Sequence, residues 1–374
     1  MKKQFIFLAV ISCGLFSGRA IAQNITEAKN TVKVGAYYYD GWSGLVPNNI
    51  TPKLTDSFPE RKSIWGWVTS DQKIMDQQIN CAADYGLSFF CFDWYLPDTK
   101  QYTVRTNPLN RAVHFFMASP DNDRLEFSLL VCNTGGSIIR SGNWKECVDE
   151  WITILKHKKY LHVGGKPLIS FISTQNLIKG LGSVEHVREA LDSFRTACAD
   201  AGLPGITIGA FMNPPVQEQM DSAQLLGFDV LSGYNYFGFG FKGVSKDQTE
   251  IPIEKLQETE ITLWDRFKTS PIPYVPVVTL NWDPRPKDLS SFSAKRSYYY
   301  TKYYTGFSTN SVYNSVKDAI EWVRNNPGSA TKEKLICLYA WNEYNEGAWL
   351  TPSDILKDGL LLGVKRAVLE NAKK

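Results

Sequence analysis

The chain of 374 residues carries 41 basic and 38 acidic side chains for a formal charge of +3, and it is 43% hydrophobic and 13% aromatic. That composition suits a folded globular protein and excludes disordered and fibrous classes. Lys2, Lys3 and Arg19 supply the excess, and the rest of the chain holds 38 basic against 38 acidic groups with no Lys or Arg run longer than two, so no clustered charge is available to displace counterions from nucleic acid or to bind an anionic membrane surface.

Residues 1–22 read as an export signal: Lys2-Lys3, an apolar stretch from Phe5 to Leu15, and Ala20-Ile21-Ala22 before Gln23. Such a core is shorter than the roughly 20 residues of a membrane span, and no later segment has 18 apolar residues in a row, so no integral membrane segment is expected. The sequence thus predicts cleavage after Ala22 and a secreted or periplasmic single domain over 23–374. A competing lipoprotein site, Val10-Ile11-Ser12-Cys13, would anchor the chain by a lipid on Cys13; the Ala-x-Ala site is the better match. Six cysteines remain after cleavage, and an exported chain of this size permits disulfides without needing them. No Cys-x-x-Cys occurs, and His114, His157, His162 and His186 fall in predicted helices or helix ends, so neither a metal nor a cofactor is expected.

Apolar runs of strand length alternate with helix-period segments along the whole chain. Strands are predicted at 33–39, 87–94, 126–132, 167–172, 206–211, 230–234, 274–281 and 335–341. Helices are predicted at 71–85, 108–118, 144–158, 184–201, 217–226, 253–268, 311–325 and 360–374. Eight strands, each followed by a helix, fit an α/β fold of the (β/α)8 TIM-barrel type better than an open doubly wound sheet of five to seven strands. The residues beyond a typical barrel fall at 41–70, 236–252 and 282–310. All three are βα loops, so a monomer with enlarged loops on the C-terminal face, and a deep groove there for an extended ligand, is expected.

The strand ends carry carboxylates, amides and aromatic rings without a positive cluster for phosphate. The candidate ligand-binding residues are Tyr39, Asp40 and Trp42 after the first strand, Asp93 and Trp94 after the second, and Tyr234, Asn235 and Tyr236 after the sixth. Trp282 and Asp283 follow the seventh strand, and Trp341 and Asn342 the eighth. Sugar rings present C–H faces that pack on indole and phenol rings, and their hydroxyls need the planar donors and acceptors of Asn, Asp and Glu. A carbohydrate is the expected partner.

Glu343 and Glu346 are the sharpest signal. Hydrolysis of a glycosidic bond uses two carboxyl groups, about 5–5.5 Å apart in most retaining enzymes and about 6.5–9.5 Å apart in inverting ones. Three residues apart on a continuous strand they would face opposite ways. Asn345 and Gly347 tolerate a turn that would bring both into one pocket.

The segment Trp341-Asn342-Glu343-Tyr344-Asn345-Glu346-Gly347 resembles the signature of glycoside hydrolase family 99-like domains, which include endo-α-mannosidases and WbsX-like domains of polysaccharide loci. Further matches are Gly35-Ala36-Tyr37-Tyr38-Tyr39-Asp40-Gly41-Trp42 and Phe90-Cys91-Phe92-Asp93-Trp94-Tyr95. The resemblance implies a (β/α)8 barrel that hydrolyses a polysaccharide or complex glycan, endo-acting, with Glu343 as base toward the sugar 2-hydroxyl and Glu346 as acid/base. It departs at Tyr344-Asn345, where the hydrolases that define the family carry Trp-His. A non-catalytic glycan-binding barrel and a glycosyltransferase are the competing readings.

Overall fold

Eight parallel strands form the sheet: β1 (Lys33–Tyr38), β2 (Phe89–Trp94), β3 (Glu126–Val131), β4 (Lys166–Phe171), β5 (Thr207–Phe211), β6 (Val230–Ser232), β7 (Val277–Thr279) and β8 (Leu335–Tyr339). Their spatial order, β6-β5-β4-β3-β2-β1-β8-β7, is that of a nearly closed (β/α)8 barrel. Among the described residues, a main helix follows each strand: α1 (Gln72–Asp84), α2 (Arg111–Ala118), α3 (Ser141–Leu155), α4 (Val184–Asp200), α5 (Gln217–Leu226), α6 (Ile253–Arg266), α7 (Thr309–Asn325) and α8 (Gly359–Ala372). The computed structural model describes residues 31–45, 48–213, 215–288 and 298–372, and those from Val32 onward belong to one compact unit. The expected export segment and Cys13 lie outside the described residues. Among the described residues, no helix is long and apolar enough to cross a membrane, and the six cysteines are free thiols.

The weakest stretch of the barrel wall lies between β6 and β7. The seventh predicted strand, 274–281, keeps ladder pairing only at Val277–Thr279, against Cys337–Tyr339. On its other side a single bridge joins Tyr274 to Leu231; the Leu231 N–H donates to the Pro273 carbonyl and the Val275 N–H to the Leu231 carbonyl, both at 2.9 Å. Pro273, which faces β6, has no N–H to extend that ladder, and Pro276 lacks one on the β8 side, where its carbonyl accepts the Cys337 N–H at 2.9 Å. A helix the sequence reading did not contain, Thr174–Leu181, precedes α4; the Ser173 hydroxyl caps it by accepting from the Asn176 N–H at 3.1 Å.

Strand alternation decides what reaches the mouth of the barrel. Tyr37, Cys91, Ser128, Ser170, Ser232 and Cys337 line a small central cavity of about 20 Å³, which identifies the inward face of six strands. The intervening Phe90, Phe92 and Phe127 point outward and pack edge-on or tilted against Phe116 of α2. Counting two residues on from the inward set leads to Tyr39, Asp93, Ile172, Tyr234 and Tyr339 at the C-terminal end.

The enlarged loops carry structure of their own. The loop after β1 holds a short helix, Pro52–Ser57, and a 3-10 turn, Pro59–Arg61. The loops after β6 and β7 pair with each other through Glu250–Pro252 and Tyr303–Thr305, with Tyr304 opposite Ile251.

Below that face, Glu260 of α6 is buried, and its carboxyl accepts the Thr279 N–H of β7 at 2.8 Å. Burial pushes it from an ordinary 4.5 up to about 8, against the pull of its bonds to Thr279. The folded state therefore holds a proton that the unfolded chain has released, and stability falls as pH rises through that window. In Glu260→Gln, which keeps an acceptor without a charge, unfolding free energy should match the parent near pH 4.5 and exceed it by on the order of a few kcal/mol above about pH 8. Urea denaturation across pH reads this difference directly, and a constant difference would contradict it.

Candidate active site

Beyond β8 the chain keeps its place in the barrel for two residues, with the Trp341 N–H donating to the Tyr37 carbonyl at 2.8 Å. It then leaves strand geometry. Asn342–Glu343 and Ala348–Trp349 form a short antiparallel pair, closed by a 3-10 turn at Tyr344–Glu346. Gly347 ends that turn at φ +71°, a conformation that L side chains adopt at a cost. Glu343 and Glu346 thus flank one turn, and both line one cavity of about 230 Å³ with Tyr39, Asn49, Tyr95, Cys132, Thr134, Ile172, Tyr234, Lys287 and Asn345.

The turn is tied down from two other loops, those after β1 and β7. Arg61 is buried beneath it, donating at 2.8 Å to the Tyr344 carbonyl and at 3.0 Å to the Asp283 carbonyl, and it forms an ion pair with the Asp283 carboxylate. The Asp283 N–H reaches the Glu346 carbonyl at 2.7 Å, and the Asn281 amide reaches the Gly347 carbonyl at 2.6 Å. From the loop after β1, the Asn49 carbonyl accepts from the Asn345 amide at 2.9 Å. Asn342 spends both ends of its side chain on the Tyr39 backbone, at 2.9 and 2.8 Å, and the Trp42 indole donates to the Asn342 carbonyl at 2.8 Å.

The two glutamates have different surroundings. The Tyr234 hydroxyl lies 2.9 Å from a Glu343 oxygen and 2.6 Å from an Asp93 oxygen. Burial raises the Glu343 pKa, while the Lys287 charge and the Tyr234 bond pull it down. Asp93 is raised well above the usual carboxylate range, first by burial and further by Glu343 and Glu346, although its bond to Tyr234 opposes this. Glu346 forms an ion pair with Lys287 and a hydrogen bond with the Tyr339 hydroxyl. For Lys287, desolvation is outweighed by the attraction of Glu346, Tyr300 and Glu343, so its pKa is raised and the ammonium is kept.

Of the residues read from the sequence, the cavity brings together Tyr39, Tyr234, Glu343 and Glu346, with Asp93 bonded behind Tyr234. Asn235 and Tyr236 line a neighbouring cavity of about 250 Å³ with Asn213, Phe237, Phe239 and Tyr299. The others are placed elsewhere. Asp40, on the outward face with Tyr38, accepts the Ala112 N–H of α2 at 2.6 Å; burial lifts it to about 7 against that bond. Trp94, outward like Phe92, packs edge-on against Trp151 of α3. Trp42, Trp341 and Asn342 hold the turn or the α1 side, Trp341 through a 2.6 Å bond to Gln78. Trp282 is buried in a stack with Phe237, and Asp283 is occupied by Arg61 and Arg285. Sequence reasoning missed Asn49 and Lys287, which lie inside loops without a periodic signal. Tyr95, Cys132 and Ile172 were within reach, since they end strands. Among the described residues, no group of three or more His, Cys, Asp or Glu could hold a metal ion.

A barrel with two carboxylates on one turn at the mouth of its eighth strand is the class of protein that this site defines. The model of the family described as Glycosyltransferase WbsX matches residues 137–362, and the chain belongs to that family. Its fold is shared with a solved structure called a glycoside hydrolase-like protein, at 14% identity and TM-score 0.59 over 90% of this chain and 94% of the other. It is also shared with the GH99 endo-α-mannosidase from Bacteroides thetaiotaomicron, at 14% identity and TM-score 0.56 over 91% and 98% of the two chains. No curated protein matches the sequence.

A Cβ on residue 347 would lie 2.7 Å from the Asp283 Cβ and 2.9 Å from its carbonyl oxygen. With the positive φ, Gly347→Ala should cost about 2–4 kcal/mol and displace the turn that carries both glutamates. Chemical denaturation measures the first effect. Loss of the Lys287 to Glu346 contact in a crystal structure of the variant would show the second, and an unchanged turn at parental stability would contradict the account of Gly347.

Proposed function

We propose that this chain is an exported glycoside hydrolase that cleaves a polysaccharide or complex glycan from within, using Glu343 and Glu346. The observation that carries the proposal is the placement of both carboxyls on one turn, lining one cavity with the phenol rings of Tyr39, Tyr95 and Tyr234. Phenol rings suit the C–H face of a sugar, and Asn49, Thr134 and Asn345 offer side-chain groups for its hydroxyls. The loops after β1, β6 and β7 rise around the same face, which supports an extended ligand and internal cleavage. Export rests on the pattern of residues 1–22.

In this reading Glu343, held by Tyr234, is the base toward the sugar, and Glu346 gives a proton to the departing glycosidic oxygen. Because Lys287 holds Glu346 as a carboxylate in the substrate-free site, the sugar must take the place of that ammonium, and Glu346 must take up a proton from solvent before it acts as the acid. The family description favours a second reading, transfer from an activated sugar donor. Such a donor carries phosphate, whereas the one cation lining the cavity among the described residues, Lys287, is already paired with Glu346.

Incubating the purified protein with a glycan panel and following the anomers of the products by NMR tests cleavage and stereochemistry together. Glu343→Gln and Glu346→Gln should each lower turnover about 10²–10⁴-fold while leaving glycan affinity within a few-fold of the parent. Hydrolysis by both variants at the parental rate would overturn the mechanism. Saturable micromolar binding of a nucleotide sugar with no hydrolysis of any glycan would favour transfer.

A further inference from the structure

We propose that Asp93 is a protonated positioning residue: its carboxylic acid donates to the Tyr234 oxygen, and the Tyr234 hydroxyl in turn donates to Glu343. The Tyr234 oxygen lies within hydrogen-bond distance of two carboxyl oxygens, 2.6 Å from Asp93 and 2.9 Å from Glu343. A phenol has one hydrogen. Were both carboxyls ionised, one of these contacts would set two oxygens against each other with no proton between them. A second proton therefore resides on Asp93 or on Glu343.

Two further observations place it on Asp93. Its other oxygen, Oδ1, is buried without a hydrogen-bond partner, which is tolerable for a neutral acid and costly for a carboxylate. Glu343 instead lines the open cavity and feels the positive charge of Lys287. Apart from the Tyr234 bond, the surroundings of Asp93 disfavour a negative charge there. Glu343 and Glu346 face it as carboxyls, and the phenols of Tyr39 and Tyr95 and the thiols of Cys91, Cys132 and Cys337 are uncharged neighbours. No Lys, Arg or His forms an ion pair with it among the described residues. The raised pKa of Asp93 agrees with this assignment.

The consequence for catalysis rests on the hydrolase reading above. With its proton fixed on Asp93, Tyr234 can donate in one direction only, toward Glu343. That holds Glu343 ionised and turned so that its second oxygen is available to the substrate. Asp93 touches no substrate in this account and acts through Tyr234.

The first test needs no glycan, so it stands apart from the functional reading. Infrared difference spectra of the whole protein across pH, with carboxyl-labelled aspartate, should show a protonated carboxyl that persists at neutral pH. The Asp93 component of that band should be absent in Asp93→Asn, leaving the component of Asp40, which burial lifts to about 7; if this variant does not fold, the Asp93 component should instead be shifted in Tyr234→Phe. Titration of Asp93 as an ordinary acid, leaving it ionised at neutral pH, would overturn the proposal. A second test uses any glycan on which the parent is active. Asp93→Asn, whose amide can still donate to Tyr234, should keep the parental pH profile. Tyr234→Phe should move the acidic limb up by about one to two pH units, because Glu343 loses a donor to its charged form, and Asp93→Ala should move it up by less, because Tyr234 keeps its hydrogen but loses the group that fixes its direction. Lower rates with an unmoved limb in both would mark Asp93 and Tyr234 as merely structural and overturn the positioning role.

Discussion

The buried guanidinium of Arg61 is the contact on which the site depends. It lies under the turn at Tyr344–Glu346, and its donors reach the Tyr344 carbonyl, the Asp283 carbonyl and the Asp283 carboxylate. A planar group with several donors in fixed directions can join three loops in this way, whereas an ammonium would serve as a point charge. A cation removed from water needs close partners, and the loops after β1, β7 and β8 supply them together. Once the turn is set, Gly347 closes it and Asn281 and Asp283 bind its far side, so the spacing of Glu343 and Glu346 is decided by the packing of three loops.

That geometry gives the glutamates unequal company. Glu346 faces Lys287 and Tyr339, at the open side of the cavity, and Glu343 faces Tyr234 and, through it, Asp93. A pocket holding three carboxyls and one ammonium would repel itself if every acid were ionised. A neutral Asp93 leaves two carboxylates and one cation, with a phenol passing the hydrogen-bond direction from the interior to the surface. The low dielectric around Asp93 is what makes this division stable.

Much of this was legible in the sequence, and the boundary has a physical cause. Alternating apolar runs and helical periods gave the barrel because each βα unit is local, and Glu343, Asn345, Glu346 and Gly347 announced the turn by residue type alone. Strand-end residues divided by register. Tyr39, Asp93 and Tyr234 follow the inward positions Tyr37, Cys91 and Ser232, whereas Asp40 and Trp94 follow outward ones and meet α2 and α3 instead. Applying the two-residue period to the strand ends would have separated these sets. The tryptophans expected as sugar platforms are buried, and tyrosines occupy the cavity wall. Lys287, Asn49 and Arg61 could not be read in advance, because their positions depend on contacts between loops far apart in the chain.

Where a sugar binds decides whether this turn is the catalytic centre. A crystal structure of Glu343→Gln soaked with an oligosaccharide that the parent cleaves should show one sugar ring in the 230 Å³ cavity. In that complex the glycosidic oxygen should be within hydrogen-bond distance of Glu346, and Lys287 should be displaced from that carboxyl. A glycan bound elsewhere on the barrel, with the ion pair between Lys287 and Glu346 intact, would contradict the assignment of this turn as the catalytic centre.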